Sequence, residues 1–257
     1  MKILFKTLTL YYSILSFVKR KVLIRNIKKD DLVLDVGSGD KPHWRADVIV
    51  DKFPDDNRQR ISGKILIDKR KIFINADVEN LPFKDKSFDF VFCSHLLEHV
   101  GDLDKAIAEI TRVGKRGYLE VPSAVLEILQ PFKTHLWLCN YDGKTLIFTQ
   151  KENQPDFQGK IMANFGQRCF NLPSFQYLLA RDFRFFFICL YWQKVFNYQI
   201  VKAKHPYVYF YEGAKENDSL GHSNFYKFFY LAMRLLFYRK KEINLSLLIK
   251  NQKSPLM

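Results

Sequence analysis

The sequence predicts an α/β fold with a doubly wound, mostly parallel sheet, and three observations carry that prediction. Short apolar runs, Leu32 to Val36, Ala46 to Asp51, Lys71 to Ala76, Phe88 to Cys93 and Tyr118 to Val121, recur between charged or turn-rich segments. A helical pattern from Asp102 to Val113 joins the last two, with Leu103, Ala106, Ile107, Ile110 and Val113 on one face and Asp104, Lys105, Glu109 and Arg112 largely on the other. Three acids, Asp35, Asp51 and Asp77, stand at the ends of the first three runs. In a parallel sheet they converge on the carboxyl edge, where open α/β sheets bind ligands.

The first run leads into Gly37-Ser38-Gly39-Asp40-Lys41-Pro42, a G-x-G turn that brings backbone N–H groups to that edge unshielded by side chains. Pro42 holds the position of the third glycine of the dinucleotide fingerprint, and Asp51 follows Gly39 by twelve residues instead of the ~20 expected. No Gly-Lys-Ser or Gly-Lys-Thr follows, so the turn is not expected to grip a pyrophosphate. Pro42-His43-Trp44-Arg45 and their neighbours are too few for a normal crossover helix; one short helical turn and an open site are expected. Residues 52 to 71 are charged and irregular.

Beyond Pro122, Leu136 to Tyr141, the turn Asp142-Gly143 and Thr145 to Gln150 read as a β-hairpin. Leu172 to Asp182 reads as a helix capped near Asn171, and Phe185 to Trp192 and Tyr207 to Tyr211 as further strands. This half is expected to finish the sheet and build the substrate side.

The length of 257 residues suits one large domain with additions, and 47% apolar with 26% charged residues is a globular composition. The net charge of +14 lies at the ends: residues 1 to 29 carry eight basic and no acidic residues, and residues 224 to 257 carry seven against Glu242 alone. Leu4, Leu8, Tyr11, Leu15 and Val18 recur at helical spacing before Lys19-Arg20-Lys21, as do Phe225, Phe228, Phe229, Ala232, Leu235 and Leu236 beside Arg234, Arg239, Lys240 and Lys241. Such helices suit an anionic membrane surface, or else the capping of the domain or a dimer interface. Neither is a span, because the N-terminal run is interrupted by Lys6 and stops at Val18, short of ~20 apolar residues. No small-residue cleavage site precedes the basic cluster, and a secretory signal peptide is not expected. Cys93, Cys139, Cys169 and Cys189 are widely spaced without C-x-x-C, which suits reduced thiols. The expectation is a cytoplasmic protein, attached peripherally to the inner membrane face through its ends.

Four stretches in order, VLDVGSG at 33 to 39, Asp51, NADVENLPFKDKSFDFVFCSHLLEHV at 75 to 100 and EITRVGKRGYLEVP at 109 to 122, resemble class I S-adenosylmethionine-dependent methyltransferases. The likeness is to the small-molecule family that includes the ubiquinone-biosynthesis enzymes, and it covers about residues 30 to 122. It implies a Rossmann-like, mostly parallel seven-stranded sheet with helices on both faces. The implied organisation is a basic segment at 1–29, a methyltransferase domain at 30–223 (cofactor half 30–122, substrate-side half 123–223) and a basic aromatic helix and tail at 224–257. By the same resemblance Asp35, Gly37, Ser38 and Gly39 cradle the methionine and ribose of S-adenosylmethionine. Asp51 binds the ribose hydroxyls, Asp77 and the Val78 backbone meet the adenine, and Ser94 lies near the methionine end. Carboxylates suit the hydroxyl, amine and sulfonium groups of that cofactor better than a basic phosphate clamp would.

His95-x-x-Glu98-His99 also matches the inverted zinc-protease motif, in which two histidines on a helix share a metal. The methyltransferase resemblance already accounts for the segment, and no metal is expected. Methyl transfer requires the acceptor in line with the methyl, and a base only for a poorly acidic hydroxyl. His95 is the first candidate base and His135 the second. No Asn-Pro-Pro-Tyr-like signature of nitrogen methylation follows the fourth strand. The short crossover resembles a subgroup associated with bacterial surface-glycan assembly, which implies a small-molecule or glycan acceptor, conceivably lipid-linked. An RNA acceptor held by the basic ends, and a cofactor-free scaffold, are the alternatives.

Overall fold

The computed structural model describes residues 2–55, 64–152, 164–166, 168–169, 172–207 and 222–250. Five parallel strands form the body of the central sheet: β1 (Val33–Val36), β2 (Val48–Asp51), β3 (Ile72–Asn75), β4 (Phe90–Ser94) and β5 (Arg116–Pro122). Every residue of β1 and β2 is buried, as strands covered on both faces require. Alternation then sorts the side chains. Leu34, Val36, Val48 and Val50 enter the larger core under α2 (Leu103–Val113), while Val33, Ile49, Phe90, Phe92 and Tyr118 build the opposite face. The Asp102 carboxylate caps α2, accepting from Lys105 N at 3.1 Å.

The central sheet holds six strands among the described residues, in the order β3-β2-β1-β4-β5-β8, where seven are expected from the sequence. Its sixth strand, β8 (Phe187–Gln193), runs antiparallel to β5. The hairpin of β6 (Trp137–Tyr141) and β7 (Leu146–Gln150) forms as expected but does not extend the central sheet. It builds a second sheet with β9 (Tyr198–Val201), whose pairing with β7 no local pattern announces. Of the strand expected at Tyr207 to Tyr211 only Tyr207 lies within the described residues. The helix α4 (Pro173–Arg181) starts at a proline, with Leu172 at its cap, and Asn171 lies outside the described residues; α3 (Ala124–Leu129) precedes it, capped by Ser123.

Between β1 and β2 the expected turn of helix is absent, and the chain passes through bends and turns. Side chains lock it there instead. The His43 amide donates to Asp35 at 2.5 Å, and Lys71 Nζ donates to the carbonyls of Trp44 at 2.8 Å and of Ala46. The face a crossover helix would cover is closed by the two ends of the chain. They are α1 (Lys2–Phe17) with the π-helical turn Val18–Val22, and α5 (His222–Phe237). Phe17 packs on Tyr226 and Phe229, Trp44 packs near Phe237, and Tyr226 donates its hydroxyl to Pro42 O. Tyr230, 1% exposed, donates to Asp68 at 2.8 Å, and Arg234 pairs with the same carboxylate at 2.9 Å. The terminal helices are thus a layer of the domain, as the capping alternative has it.

Candidate active site

Gly37 (φ +71°) and Gly39 (φ +51°) hold left-handed conformations that L side chains rarely adopt. A Cβ at Gly37 would also stand 2.8 Å from the Leu96 side chain. The Gly37 and Ser38 amides both donate to Val50 O, at 2.8 and 3.1 Å, and Gly39 N donates to Asp51 Oδ2 at 2.9 Å. These amides are therefore used inside the protein instead of facing an anion. The Ser38 hydroxyl is buried with no hydrogen-bond partner. Asp51 also accepts from Phe53 N at 2.9 Å. Asp77 lies one residue beyond the residue that follows β3, accepts from Glu79 N at 3.0 Å and pairs with Lys52 at 2.6 Å; buried Val78 opens the 3-10 turn behind it. Glycine turn, orphaned hydroxyl and two fixed carboxylates at one sheet edge fit a ligand rich in hydroxyl and amine donors. They fit S-adenosylmethionine.

Asp35 points to the other side of β1, into the face closed by the terminal helices. It is 1% exposed, and the neighbouring Lys21 ammonium, over the Phe92 ring at 4.3 Å, donates to Lys41 O at 2.8 Å. Burial pushes the Asp35 carboxyl up to about 6 and Lys21 down to about 8, each opposing the other's shift. Ser94 donates to Glu120 Oε1 at 3.2 Å and receives Arg20 Nη2 at 3.5 Å; Arg20 Nε meets Glu120 Oε1 at 2.5 Å. Of the basic cluster expected at headgroups, Arg20 and Lys21 therefore turn inward, because buried acids on β1 and β5 need a counter-charge. Burial opposes ionisation of Glu120, but Arg20 and His95 outweigh it and hold the carboxyl well below the usual range.

The H-x-x-E-H segment is not an α-helix. His95 sits at φ +54°, and Leu97–His99 is a 3-10 turn, so the i, i+4 geometry of a helical zinc motif is absent. His95 places Nε2 3.1 Å from Glu120 and Nδ1 3.2 Å from Glu98, so both ring nitrogens face carboxylates. That arrangement turns both ring nitrogens toward protein carboxylates instead of an acceptor. His135 is differently placed: Nδ1 lies 2.6 Å from Glu127, and Nε2 points toward Glu98 at 4.0 Å. Its ring packs edge-on against His99 at 4.5 Å. Burial pushes His99 down to about 4. For Glu98 burial acts upward, yet the three facing imidazoles outweigh it and hold the carboxyl at about 2. Glu120 and Glu127 are the site residues that motif reading passed over, and Glu98 entered it only through the zinc motif. The signal available was a glutamate inside an apolar strand, Tyr118-Leu119-Glu120-Val121, since unpaired glutamate is almost never buried.

Residues 52–119 match the family described as methyltransferase domain. The chain is 39% identical over 88 residues to an uncharacterized protein of Methanocaldococcus jannaschii, covering 34% of this chain and 38% of that one. It is 35% identical over 51 residues to a sterol 24-C-methyltransferase of Schizosaccharomyces pombe, covering 20% of this chain and 14% of that enzyme. The matched segments thus span less than two fifths of the length of these relatives. Among solved structures, a SAM-dependent methyltransferase of Thermotoga maritima aligns with a TM-score of 0.32 at 24% identity, over 46% of this chain and 54% of that one. A Pyrococcus horikoshii protein aligns at 0.36 and 19%, over 60% and 80%.

Proposed function

We propose, from the premise that this chain is a class I S-adenosylmethionine-dependent methyltransferase, that it methylates an oxygen of a small-molecule or glycan acceptor. The observation that carries the cofactor assignment is the carboxyl edge itself: a left-handed glycine turn tied to Asp51, beside the partnerless Ser38 hydroxyl. Gly37, Ser38 and Gly39 would border the ribose and methionine, Asp51 would take the ribose hydroxyls, and Asp77 with Val78 would meet the adenine. Asp35 supports the turn from beneath, through His43 N and Lys21, and Ser94 is held by Glu120 and Arg20.

When bound, the cofactor supplies a methyl group on a sulfonium that leaves as a neutral thioether. The chain's own part is to hold the acceptor oxygen in line and to take its proton. His135 suits that second role better than His95, because Glu127 fixes its Nδ1 and leaves Nε2 turned to the Glu98 cluster. His95, fixed between two carboxylates, is a positioning residue. Calorimetric titration with S-adenosylmethionine and S-adenosylhomocysteine tests the reading. Micromolar binding is expected, and Asp51→Asn should weaken it by about 1–3 kcal/mol with little change in Tm. No heat with either ligand would overturn it in favour of a scaffold.

A second observation favours attachment to an anionic membrane. The outer face of α5 exposes Phe228 (66%), Leu235 (64%), Leu236 (73%) and Phe237 (61%), followed at once by exposed Arg239 and Lys240. Apolar side chains ringed by bases suit acyl chains below phosphate headgroups. No helix among the described residues is long and apolar enough to cross a membrane. An RNA acceptor would use the same bases without the apolar face.

A further inference from the structure

Three side chains with metal-ligating atoms come together beyond the carboxyl end of β4. One ligand atom from each of Glu98, His99 and His135 lies within 4.8 Å of the others. Glu98 is fully buried, and neither of its carboxylate oxygens makes a hydrogen bond; the nearest base, His95 Nδ1, stands 3.2 Å from Oε1. The two imidazoles are held from behind. His99 Nδ1 lies 3.1 Å from Thr134 O, and His135 Nδ1 lies 2.6 Å from the Glu127 carboxylate, itself paired with Lys151. A carbonyl can only accept, so His99 carries its proton on Nδ1, and an ionised Glu127 places the His135 proton likewise. Both Nε2 atoms are left with lone pairs, the tautomer that outer-shell acceptors impose on metal-binding histidines.

We propose that Glu98, His99 and His135 bind a divalent transition metal ion, zinc or a zinc-like ion, with one position open to the oxygen of a hydroxylated acceptor. Two histidines and one glutamate form a ligand set that catalytic zinc sites use, completed there by a water or substrate oxygen. Ligands about 2.0–2.1 Å from a tetrahedral ion stand ~3.3 Å apart. His135 Nε2 and Glu98 Oε1 stand 4.0 Å apart, so a bound ion would draw them together by less than about 1 Å. The ion would add its charge to that of the imidazoles already facing the Glu98 carboxylate. An acceptor hydroxyl on such an ion would lose its proton far more readily, so with the ion bound the activating role passes from the His135 imidazole to the metal. That catalytic role rests on the methyl-transfer reading; metal binding does not.

The experiment is metal titration of the whole chain after chelator treatment. Cobalt(II) should give the visible absorption of a tetrahedral nitrogen and oxygen site, and zinc should displace it at about one ion per chain. His99→Ala and His135→Ala should abolish the cobalt spectrum, and Glu127→Gln should weaken zinc binding by about 10–100-fold. Exposed His205→Ala should change nothing. Far-UV dichroism and calorimetry with S-adenosylhomocysteine on each variant separate a lost ligand from a lost fold and from a failed cofactor assignment. A wild-type chain that takes up neither metal, or one whose spectrum survives both folded histidine variants, overturns the site and leaves a buried imidazole cluster.

Discussion

Lys71 Nζ lies within reach of three main-chain oxygens, those of His43, Trp44 and Ala46, and sits over the Tyr238 ring at 4.4 Å. One buried ammonium therefore does for the β1–β2 connection what a helix does elsewhere. Burial holds its folded value down at about 8, against 10.5 for the free side chain, despite Asp68, Asp47 and Asp35 nearby. Between those two values the unfolded chain binds a proton that the folded chain does not, so stability should rise as pH increases from about 8 toward 10. Lys71→Met should flatten that rise, and should cost about 1–3 kcal/mol near pH 7 by leaving buried carbonyls without their donor. Urea midpoints at about pH 7, 8 and 9.5 read both effects. A wild-type midpoint that falls steadily across that range would contradict the burial argument.

Among the elements, those whose pattern is local were legible in the sequence. β1 to β5, the Asp102 cap and the hairpin at Asp142-Gly143 each carry their signal within a few residues. Asp51 and the glycine turn were legible for the same reason. What was not legible depends on partners far along the chain. β9 is a strand because β7 is beside it, and Glu98 gains its meaning from His135, brought in when Leu136 N bonds to Glu98 O at 2.7 Å. The two ends read in the sequence as membrane-surface helices or as caps of the domain, because the basic, apolar periodicity of a surface helix and of a capping helix is the same. α5 serves on both sides: Tyr230 and Arg234 reach inward, while Leu235 and Leu236 face out. Leu235→Glu with Leu236→Glu should thus abolish sedimentation with anionic liposomes while leaving Tm within a few degrees, since both side chains already face solvent. Unchanged liposome binding would remove α5 from the membrane reading.

At the scale of the molecule, two layers of different origin cover one sheet. The layer over Leu34, Val36 and Val91 is α2, contiguous in sequence with β4 and β5. The layer on the opposite side brings together segments two hundred residues apart: α1 packs on α5 through Phe17, Tyr226 and Phe229, and Lys241 donates to Asp31 O and pairs with Asp47 at 3.3 Å. Removing residues 222–250 would expose that face and strand the Asp68 and Asp47 carboxylates. The truncated chain should lose a single cooperative unfolding transition and bind an apolar-surface dye. A truncated chain that melts sharply near the full-length Tm would show the sheet to be self-sufficient.

The same joint sets an order of events during synthesis. A ribosome that has released β1 to β5 has exposed all the strands of the parallel pairings, but Trp44, Asp68 and Lys71 lack the cover of Phe237, Tyr230 and Tyr238 until residues 222–241 have emerged. During that interval the β1–β2 connection and the segment at Asp68–Lys71 stand uncovered, and their closure is a contact of high sequence separation, slow to form by nature. For this protein the hazardous moment of biogenesis falls late, in translation of the segment that completes the second layer.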